Sequence, residues 1–234
     1  MNTAARESIY TDGSYFAKTG GTWHLEDSPF KAKQIARMLA RHPATQVSTV
    51  CEIGCGAGGI LWELQKTLPE HVTFTGYDIS PQALALSERF STTRCRFLLG
   101  DAFADRSTYD LVLVMDVVEH VEDCFRFLRQ ARQKGRLKLY HIPLEAHASA
   151  VLRRVNLWNS AGHIHLFTIE TAIKSLEHTD HRIVDWVLTD GALGTPNKPL
   201  RTRVANLLRY PLAKVDAGLA ARLLGGYSIL ILAE

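Results

Sequence analysis

The chain has 234 residues, a formal net charge of +3, 46% hydrophobic residues and 22% charged residues. These values are ordinary for a globular protein and exclude disordered, collagenous and coiled-coil chains. The charge balance does not require a nucleic-acid or membrane partner. The apolar runs are about as long as β-strands and well short of the roughly 20 residues that cross a bilayer, so no membrane span is predicted.

The cysteines and the N-terminal residues favour a cytoplasmic protein. Cys51, Cys55, Cys95 and Cys124 form no CxxC pair, and a disulfide framework is not expected from them. Residues 1–15 are polar, carry mixed charge and lack an apolar segment, so they do not resemble a signal peptide. We therefore expect reduced thiols and a cytoplasmic location.

Strand-like and helix-like segments alternate along most of the chain. The predicted strands are 47–53, 72–77, 94–99, 109–115, 137–142, 182–189 and 227–233. The predicted helices are about 60–68, 80–90, 121–132 and 168–177. Buried strands that alternate with helices are typical of right-handed βαβ crossovers in a mostly parallel sheet. The predicted fold class is therefore α/β: a Rossmann-like doubly wound sheet of about seven strands, mostly parallel, with an antiparallel last strand.

A single domain is predicted over residues 1–234, with its core in 28–190 and 225–234. The N-terminal segment 1–27 is rich in aromatic residues and precedes a helix capped by Ser28, with Pro29 in its first turn. That helix is expected to bury Phe30, Ile35, Met38 and Leu39.

Residues 191–224 are predicted to be a basic, amphipathic helical insertion before the last strand. Packing on its own domain is the preferred interpretation of its apolar stripe. A cap over the substrate pocket, a homodimer face and an anionic surface such as a membrane stay open.

A glycine cluster lies where the first strand turns into the first helix. It reads Glu52-Ile-Gly-Cys-Gly-Ala-Gly58-Gly59. Glycine permits the tight turn and lets backbone N–H groups approach a ligand at a helix N-terminus. Gly54, Gly56 and Gly59 also satisfy GxGxxG, the dinucleotide fingerprint, so this motif alone leaves the kind of nucleotide cofactor open.

Acidic residues follow the next three strands. Asp78 ends the second strand, Asp101 follows the third, and Asp116-Val-Val-Glu119-His120 follows the fourth. Polar residues at successive strand C-termini face one crevice, where open α/β sheets bind ligands. Asp78 is placed to accept two ribose hydroxyls, and Asp101 to accept an adenine amino hydrogen.

In these motifs the sequence resembles the class I S-adenosylmethionine-dependent methyltransferases, over about residues 47–168 and more loosely in the closing strands. The resemblance implies a glycine loop that holds the methionine part of the cofactor, with acids for ribose and adenine. It also implies that Glu52 contacts the methionine amine, and that the N-terminal segment forms a lid with Trp23 near the sulfonium. The cofactor-binding residues predicted in this way are Glu52, Gly54, Cys55, Gly56, Asp78, Ile79, Asp101, Ala102, Asp116, Val117 and Trp23.

A dehydrogenase is the rival interpretation of the glycine motif. Tyr210 and Lys214 formally satisfy the YxxxK pattern of short-chain dehydrogenases. The pattern comes very late in the chain, and Pro211 lies inside the turn that would have to align both side chains. The methyltransferase interpretation is therefore preferred.

The candidate general bases are histidines, because a neutral imidazole titrates in a useful range. His165, His120 and His141 are the predicted catalytic residues, and His163 is a further candidate. His163 and His165 lie on alternating faces of a short extended piece, so only one of the two is expected to face the crevice. A structural role is the alternative for each of them.

No metal is predicted, but one arrangement keeps a metal-assisted mechanism as an alternative. Asp116, Glu119 and His120 have one-turn spacing, and His165 can return to the same crevice. Ubiquinone-pathway O-methyltransferases and small-RNA 2′-O-methyltransferases carry a similar stretch and use it for metal. Here the first acid is aspartate rather than glutamate, which shortens its reach.

The predicted function is transfer of a methyl group from S-adenosyl-L-methionine to oxygen or nitrogen of a small molecule, with S-adenosyl-L-homocysteine as product. The acceptor is expected to be a secondary metabolite or sugar-like. Nucleic acid is not an expected partner, because no basic-aromatic stripe accompanies the mild net charge. The alternatives are a metal-assisted RNA or quinone-type O-methyltransferase and a non-methylating cofactor-binding or partner-binding protein on the same fold.

Overall fold

The computed structural model describes residues 9–18, 20–43, 45–152, 162–191 and 209–234. Most of the first half of the predicted insertion, residues 192–208, lies outside these ranges, as do the first eight residues. Within the insertion, residues 209–215 and Ala217–Leu224 are helical.

The α/β fold predicted from the alternation of segments is confirmed, since seven strands form one sheet in the order β3-β2-β1-β4-β5-β7-β6. The strands are β1 Thr49–Ile53, β2 Thr73–Asp78, β3 Cys95–Leu99, β4 Tyr109–Met115, β5 Gly135–Pro143, β6 Ile183–Thr189 and β7 Ser228–Ala233. β1 pairs in parallel with β2 and β4, and β2 in parallel with β3. The last strand, β7, pairs antiparallel with β6.

The predicted helices are present with shifts of a few residues at their ends, whereas the short helices at 14–18 and 148–152 were not predicted. They are α1 Ser14–Lys18, α2 Ser28–Arg41, α3 Gly59–Gln65, α4 Pro81–Ser87, α5 Cys124–Lys134, α6 Ala148–Leu152, α7 Ile169–His178 and α8 Ala217–Leu224. Side-chain caps explain two of the starts: the Ser80 hydroxyl accepts from the N–H of Ala83, and Thr168 and Thr171 form a capping box. None of the helices in the described ranges is both long and apolar enough to cross a membrane.

The chain divides into two compact units. Residues 1–115 and 130–139 form unit 1, and residues 116–129 and 140–234 form unit 2. The core of unit 1 includes the fully buried run from Leu111 to Val114 in β4, and that of unit 2 includes the run from Ile229 to Ala233 in β7. Such continuous burial explains why these strands read as uninterrupted apolar runs.

The N-terminal helix of unit 1 differs in detail from its prediction. Helix α2 begins at Ser28, and its N-cap is Asp27, which makes no side-chain cap hydrogen bond. Ile35, Met38 and Leu39 are buried as predicted, whereas Phe30 is only half-buried. Because Ser28 is already helical and nearly buried, its hydroxyl does not act as the predicted cap.

Candidate functional site

The glycine loop after β1 is held to the end of β2 by its own backbone. The N–H groups of Gly54 and Cys55 both donate to the Tyr77 carbonyl, over 2.8 and 3.0 Å. The N–H of Gly56 donates to Asp78 Oδ2 over 2.8 Å. These N–H groups are therefore used within the loop, contrary to the expectation that they approach a ligand. Three backbone N–H groups thus hold the loop to the end of β2, and its small residues supply space rather than these donors.

Asp78 organises the loop from the end of β2. Besides Gly56, its carboxylate accepts the N–H of Ser80, over 2.8 Å at Oδ1. Burial raises the pKa of Asp78, while these backbone donors act against that rise. A carboxylate oxygen has two lone pairs, so an oxygen that accepts one N–H keeps the capacity to accept a hydroxyl.

Glu52 is a buried acid with an unmet oxygen. It lies in β1 beside the loop, its side chain is 1% exposed, and Oε2 has no hydrogen-bond partner among the described residues. Burial raises the pKa of Glu52 well above its usual range, the nearby Asp78 raises it further, and the charge of Lys31 opposes the rise. A buried carboxyl of this kind is costly unless a cation or donor satisfies it.

Trp23 lies directly on the loop. A Cβ added to Gly56, whose φ is +52°, would come within 2.5 Å of the Trp23 indole Cδ1, so only glycine fits beneath the ring. Trp23 itself has a left-handed φ of 53°, and its ring packs on that of Tyr15 with centroids 5.0 Å apart. The aromatic N-terminal segment thus contacts the loop that the sequence assigns to the cofactor.

The ends of β2 and β3 carry the residues predicted for the adenine and ribose. Ile79 is 41% exposed, while Ala102 is buried. The exposed Asp101 accepts the N–H of Phe103 at Oδ1, over 2.9 Å. Leu99, at the end of β3, is 52% exposed and was missed by the sequence reasoning. Little in the sequence distinguishes Leu99, because an apolar residue at the end of a strand is normally predicted to be buried.

In unit 2, the partly exposed Asp116 pairs with the buried His141. Asp116 directly follows β4 with a left-handed φ of 56°, and its Oδ1 lies 2.6 Å from His141 Nδ1. The other ring nitrogen of His141, Nε2, lies 2.8 Å from Thr189 Oγ1, and the ring is 4% exposed. With both nitrogens engaged, His141 is built to position Asp116. Thr189 was not foreseen, because 48 positions separate it from His141.

His165 holds its own segment in place. Its Nε2 lies 2.8 Å from the carbonyl oxygen of Val121, and its backbone N–H donates to the carbonyl of Glu119. A ring N–H that donates to a carbonyl fixes a loop and leaves the opposite nitrogen to accept a proton. The predicted catalytic role of His165 stays a prediction.

Three neighbouring side chains of unit 2 have the geometry of a metal site. One ligand atom from each of Glu119, His120 and His163 lies within 4.8 Å of the others. The Nδ1 of His163 is also 2.7 Å from Glu145 Oε2, the carboxylate–imidazole arrangement that orients many metal-binding histidines. Burial, and after it the charge of His163, lowers the pKa of His120 to about 4, which keeps that imidazole neutral and able to bind a cation.

This grouping differs from the alternative metal site considered from the sequence. Glu119 and His120 belong to both, but His163 takes the place foreseen for His165, and Asp116 is engaged with His141 instead. Carboxylate and imidazole donors together suit a transition metal or Zn²⁺ better than Mg²⁺. The donor set therefore fits a bound metal.

Comparisons with known proteins agree with the class to which the loop and the fold point. A family model described as "Methyltransferase domain" matches residues 51–135. The mitochondrial ubiquinone biosynthesis O-methyltransferase of Schizosaccharomyces pombe is 31% identical over 102 residues. That match covers 38% of this chain and 36% of the relative, so the chain spans about a third of its length.

Solved structures are similar over nearly the whole chain. The magnesium protoporphyrin IX methyltransferase ChlM of Synechocystis PCC 6803, with bound S-adenosylhomocysteine, has a TM-score of 0.64 and 13% identity, and 99% of each chain is covered. The [4+2]-cyclase SpnF has a TM-score of 0.58 and 18% identity, with 86% of this chain and 80% of that chain covered. At these identities the likeness shows the fold.

The fold and the domain match define a Rossmann-like methyltransferase domain rather than the dinucleotide-binding domain that GxGxxG also permitted. Residues 51–135 match a methyltransferase domain, and the described part of the chain has the fold of S-adenosylmethionine-dependent methyltransferases of known structure.

Proposed function

We propose that this protein binds S-adenosylmethionine at the glycine loop and transfers its methyl group to oxygen or nitrogen of a small molecule. The observation that carries the proposal is Glu52, a buried acid whose Oε2 has no partner among the described residues. An ammonium is the group that such a carboxylate lacks. The α-ammonium at the methionine end of the cofactor supplies one.

The residues around the loop have separate roles in this proposal. Glu52 holds the α-ammonium, Asp78 accepts the ribose hydroxyls, and Asp101 accepts the adenine amino group. The exposed side chains of Ile79 and Leu99 cover the two faces of the adenine. These contacts orient the reactive end of the cofactor and cost little reorganisation, since the loop is already fixed by Tyr77 and Asp78.

When bound, the cofactor supplies a methyl group on a sulfonium, which an oxygen or nitrogen of the acceptor displaces in line. The proton that leaves a neutral acceptor needs a base. Asp116 suits this task better than His141, since the buried imidazole has both nitrogens engaged and holds the Asp116 carboxylate.

The experiment is calorimetric titration with S-adenosylhomocysteine, with NADH as the competing cofactor class. We expect binding of the first and not of the second. Asp78→Ala should abolish it, because the variant loses both the ligand contact and the acceptor that fixes Gly56. Asp123→Ala is the matched control, since this exposed aspartate also accepts a backbone N–H, that of Arg126. Unchanged affinity in Asp78→Ala would refute the site.

A small-molecule acceptor is favoured by two observations. The net charge is only +3, far from the basic character of most nucleic-acid-binding domains. The similar proteins named above act on a protoporphyrin and in ubiquinone biosynthesis. Transfer of labelled methyl from S-adenosylmethionine to pooled phenols, sugars, amines and RNA would test this. Labelling of RNA alone would contradict it.

A metal-assisted O-methyltransferase is the second candidate, favoured by the cluster of Glu119, His120 and His163. Dialysis against EDTA should then abolish methyl transfer, and Mn²⁺ or Zn²⁺ should restore it. His163→Gln should weaken binding of the metal alone, measured by calorimetry. Full activity after EDTA would end this candidate.

A non-methylating protein on the same fold is the remaining alternative, and the likeness to a [4+2]-cyclase supports it. It predicts tight binding of S-adenosylhomocysteine with no methyl transfer to any acceptor in the pool. Transfer to one acceptor excludes it.

A further inference from the structure

Tyr77, in β2, is joined to the glycine loop by its backbone and to a second loop by its side chain. Its carbonyl accepts the N–H groups of Gly54 and Cys55. The residue is 4% exposed, and its hydroxyl donates to Asp105 Oδ2. One buried residue therefore connects the two loops.

The second loop joins β3 to β4 and is formed by residues 100–108. It carries Asp101, which the proposed function places at the adenine amino group. Four positions further on, Asp105 Oδ1 accepts both the N–H and the hydroxyl of Ser107, each over 2.9 Å. Since Oδ2 accepts the Tyr77 hydroxyl, both carboxylate oxygens of Asp105 are engaged in fixing this loop.

Lys134, the last residue of α5, holds the backbone at the same point. Its Nζ donates to the carbonyl oxygen of Asp105 over 2.6 Å, and the residue is 5% exposed. The ammonium also lies 5.7 Å from the ring centroids of both Tyr77 and Tyr109, within the range of cation–π attraction. Asp105 is therefore held by its main chain as well as by its side chain.

We propose that Tyr77 and Asp105 are positioning residues for the adenine end of the cofactor, and that they give the site its selectivity for the purine amino group by holding Asp101 in place. The inference rests on the proposed function. Because the loop is already ordered at Asp105, less conformational entropy is lost when Asp101 binds the amino group. Tyr77 then serves both ends of the cofactor: its carbonyl fixes the loop at the methionine end, and its hydroxyl fixes the loop at the adenine end.

The alternative is that Tyr77 and Asp105 only stabilise the fold. The two interpretations differ in their effect on ligands. A purely structural Tyr77 affects the affinity for every ligand of the site equally. A positioning Tyr77 affects mainly ligands that carry the amino group accepted by Asp101.

The experiment compares S-adenosylhomocysteine with S-inosylhomocysteine, in which a carbonyl oxygen replaces the purine amino group, by calorimetry on the full chain. Tyr77→Phe keeps the ring beside Lys134 and removes the hydroxyl that donates to Asp105. We expect this variant to bind S-adenosylhomocysteine about threefold to tenfold more weakly, the range for one lost hydrogen bond, and to bind S-inosylhomocysteine as the wild type does.

Two further variants complete the experiment. Tyr109→Phe is the matched control, because its hydroxyl also contacts that of Tyr77, over 3.2 Å, and its removal leaves the bond to Asp105 in place. It should change the affinity for neither ligand. Asp105→Ala removes the acceptor and should reproduce the selective loss, and adding Tyr77→Phe to it should cause no further loss. If Asp105→Ala does not fold, Tyr77→Phe, which deletes a single oxygen, decides alone.

Several outcomes overturn the inference. Equal losses for both ligands in Tyr77→Phe make Tyr77 structural, and unchanged affinities show that its hydroxyl does not position the loop. The same selective loss in Tyr109→Phe removes the special role of the bond to Asp105. Equal wild-type affinity for the two ligands shows that Asp101 does not recognise the amino group. These four results leave cofactor binding, and with it the proposed function, intact, whereas wild-type protein that binds neither ligand refutes both.

Discussion

The glycine loop of unit 1 and the histidine-rich segments of unit 2 use their polar groups differently. Around the loop, the N–H groups of Gly54, Cys55 and Gly56 are engaged, and within the described part of the chain Glu52 Oε2 has no hydrogen-bond partner. In unit 2, His141, His163 and His165 each have a ring nitrogen bonded to a neighbouring group. Under the proposed function, the first arrangement binds the charged methionine end of the cofactor. The second holds segments of chain in place, and in His141 both ring nitrogens are engaged in this way.

The largest expected effect comes from changing Glu52, the buried acid beside the glycine loop. Glu52→Gln should weaken binding of S-adenosylhomocysteine by about tenfold to hundredfold, since the ammonium loses a buried carboxylate. The same change should raise the stability of the ligand-free protein, since it removes a buried acid with an unmet oxygen. Calorimetry measures the first effect and thermal unfolding without ligand the second. Glu63→Gln, at a partly exposed ion pair with Lys66, is the control.

The effect of Glu52 can also be tested through the pH dependence of the free energy of unfolding, because the direction of that dependence is predictable. The pKa of Glu52 is raised in the folded state, so the native protein binds more protons than the unfolded chain as pH rises above the usual range of a glutamic acid. Over that window Glu52 makes the ligand-free protein less stable with increasing pH, up to the raised pKa. Glu52→Gln should remove this component. An identical slope in wild type and variant would mean that the carboxyl is satisfied.

A smaller effect is expected at Thr189, which contacts the His141 ring that pairs with Asp116. His141 Nδ1 lies 2.6 Å from Asp116 Oδ1, and the Thr189 hydroxyl contacts His141 Nε2 over 2.8 Å and donates to the Ser228 carbonyl over 3.3 Å. Thr189→Val removes the donor and should cost about 1–3 kcal/mol, the range for an unsatisfied buried group. At this chain length each kcal/mol corresponds to a fall of roughly 2–4 °C in Tm. Thr189→Ser should retain the wild-type Tm, and equal losses in both variants would assign the effect to packing.

The difference between the glycine loop and the histidine-rich segments also explains which features the sequence could predict. Strand β2 ends at Asp78, and β1, β3 and β4 are followed directly by glycine or aspartate. Together with the apolar runs of these strands, that pattern allowed the sequence to predict the sheet and the loop residues, Glu52 and Asp78 included. The pairing of His141 with Thr189 depends on a contact between β5 and β6, which no local pattern records. Likewise, the choice between His163 and His165 for the neighbour of His120 depends on the path of the backbone. That path is set by the N–H groups of Ile164 and His165, which both donate to the carbonyl of Glu119.

The smallest effect decides whether His165 belongs with the positioning residues. His165→Ala loses one hydrogen bond to the carbonyl of Val121, which is worth about 0.5–1.5 kcal/mol. We expect a small fall in Tm, unchanged affinity for S-adenosylhomocysteine and, once an acceptor is found, methyl transfer reduced no more than the stability loss explains. Because the bond is made by Nε2, His165→Gln, which places an amide donor at the ε position, should restore the Tm. Loss of methyl transfer in both variants at wild-type Tm would return His165 to the role of general base.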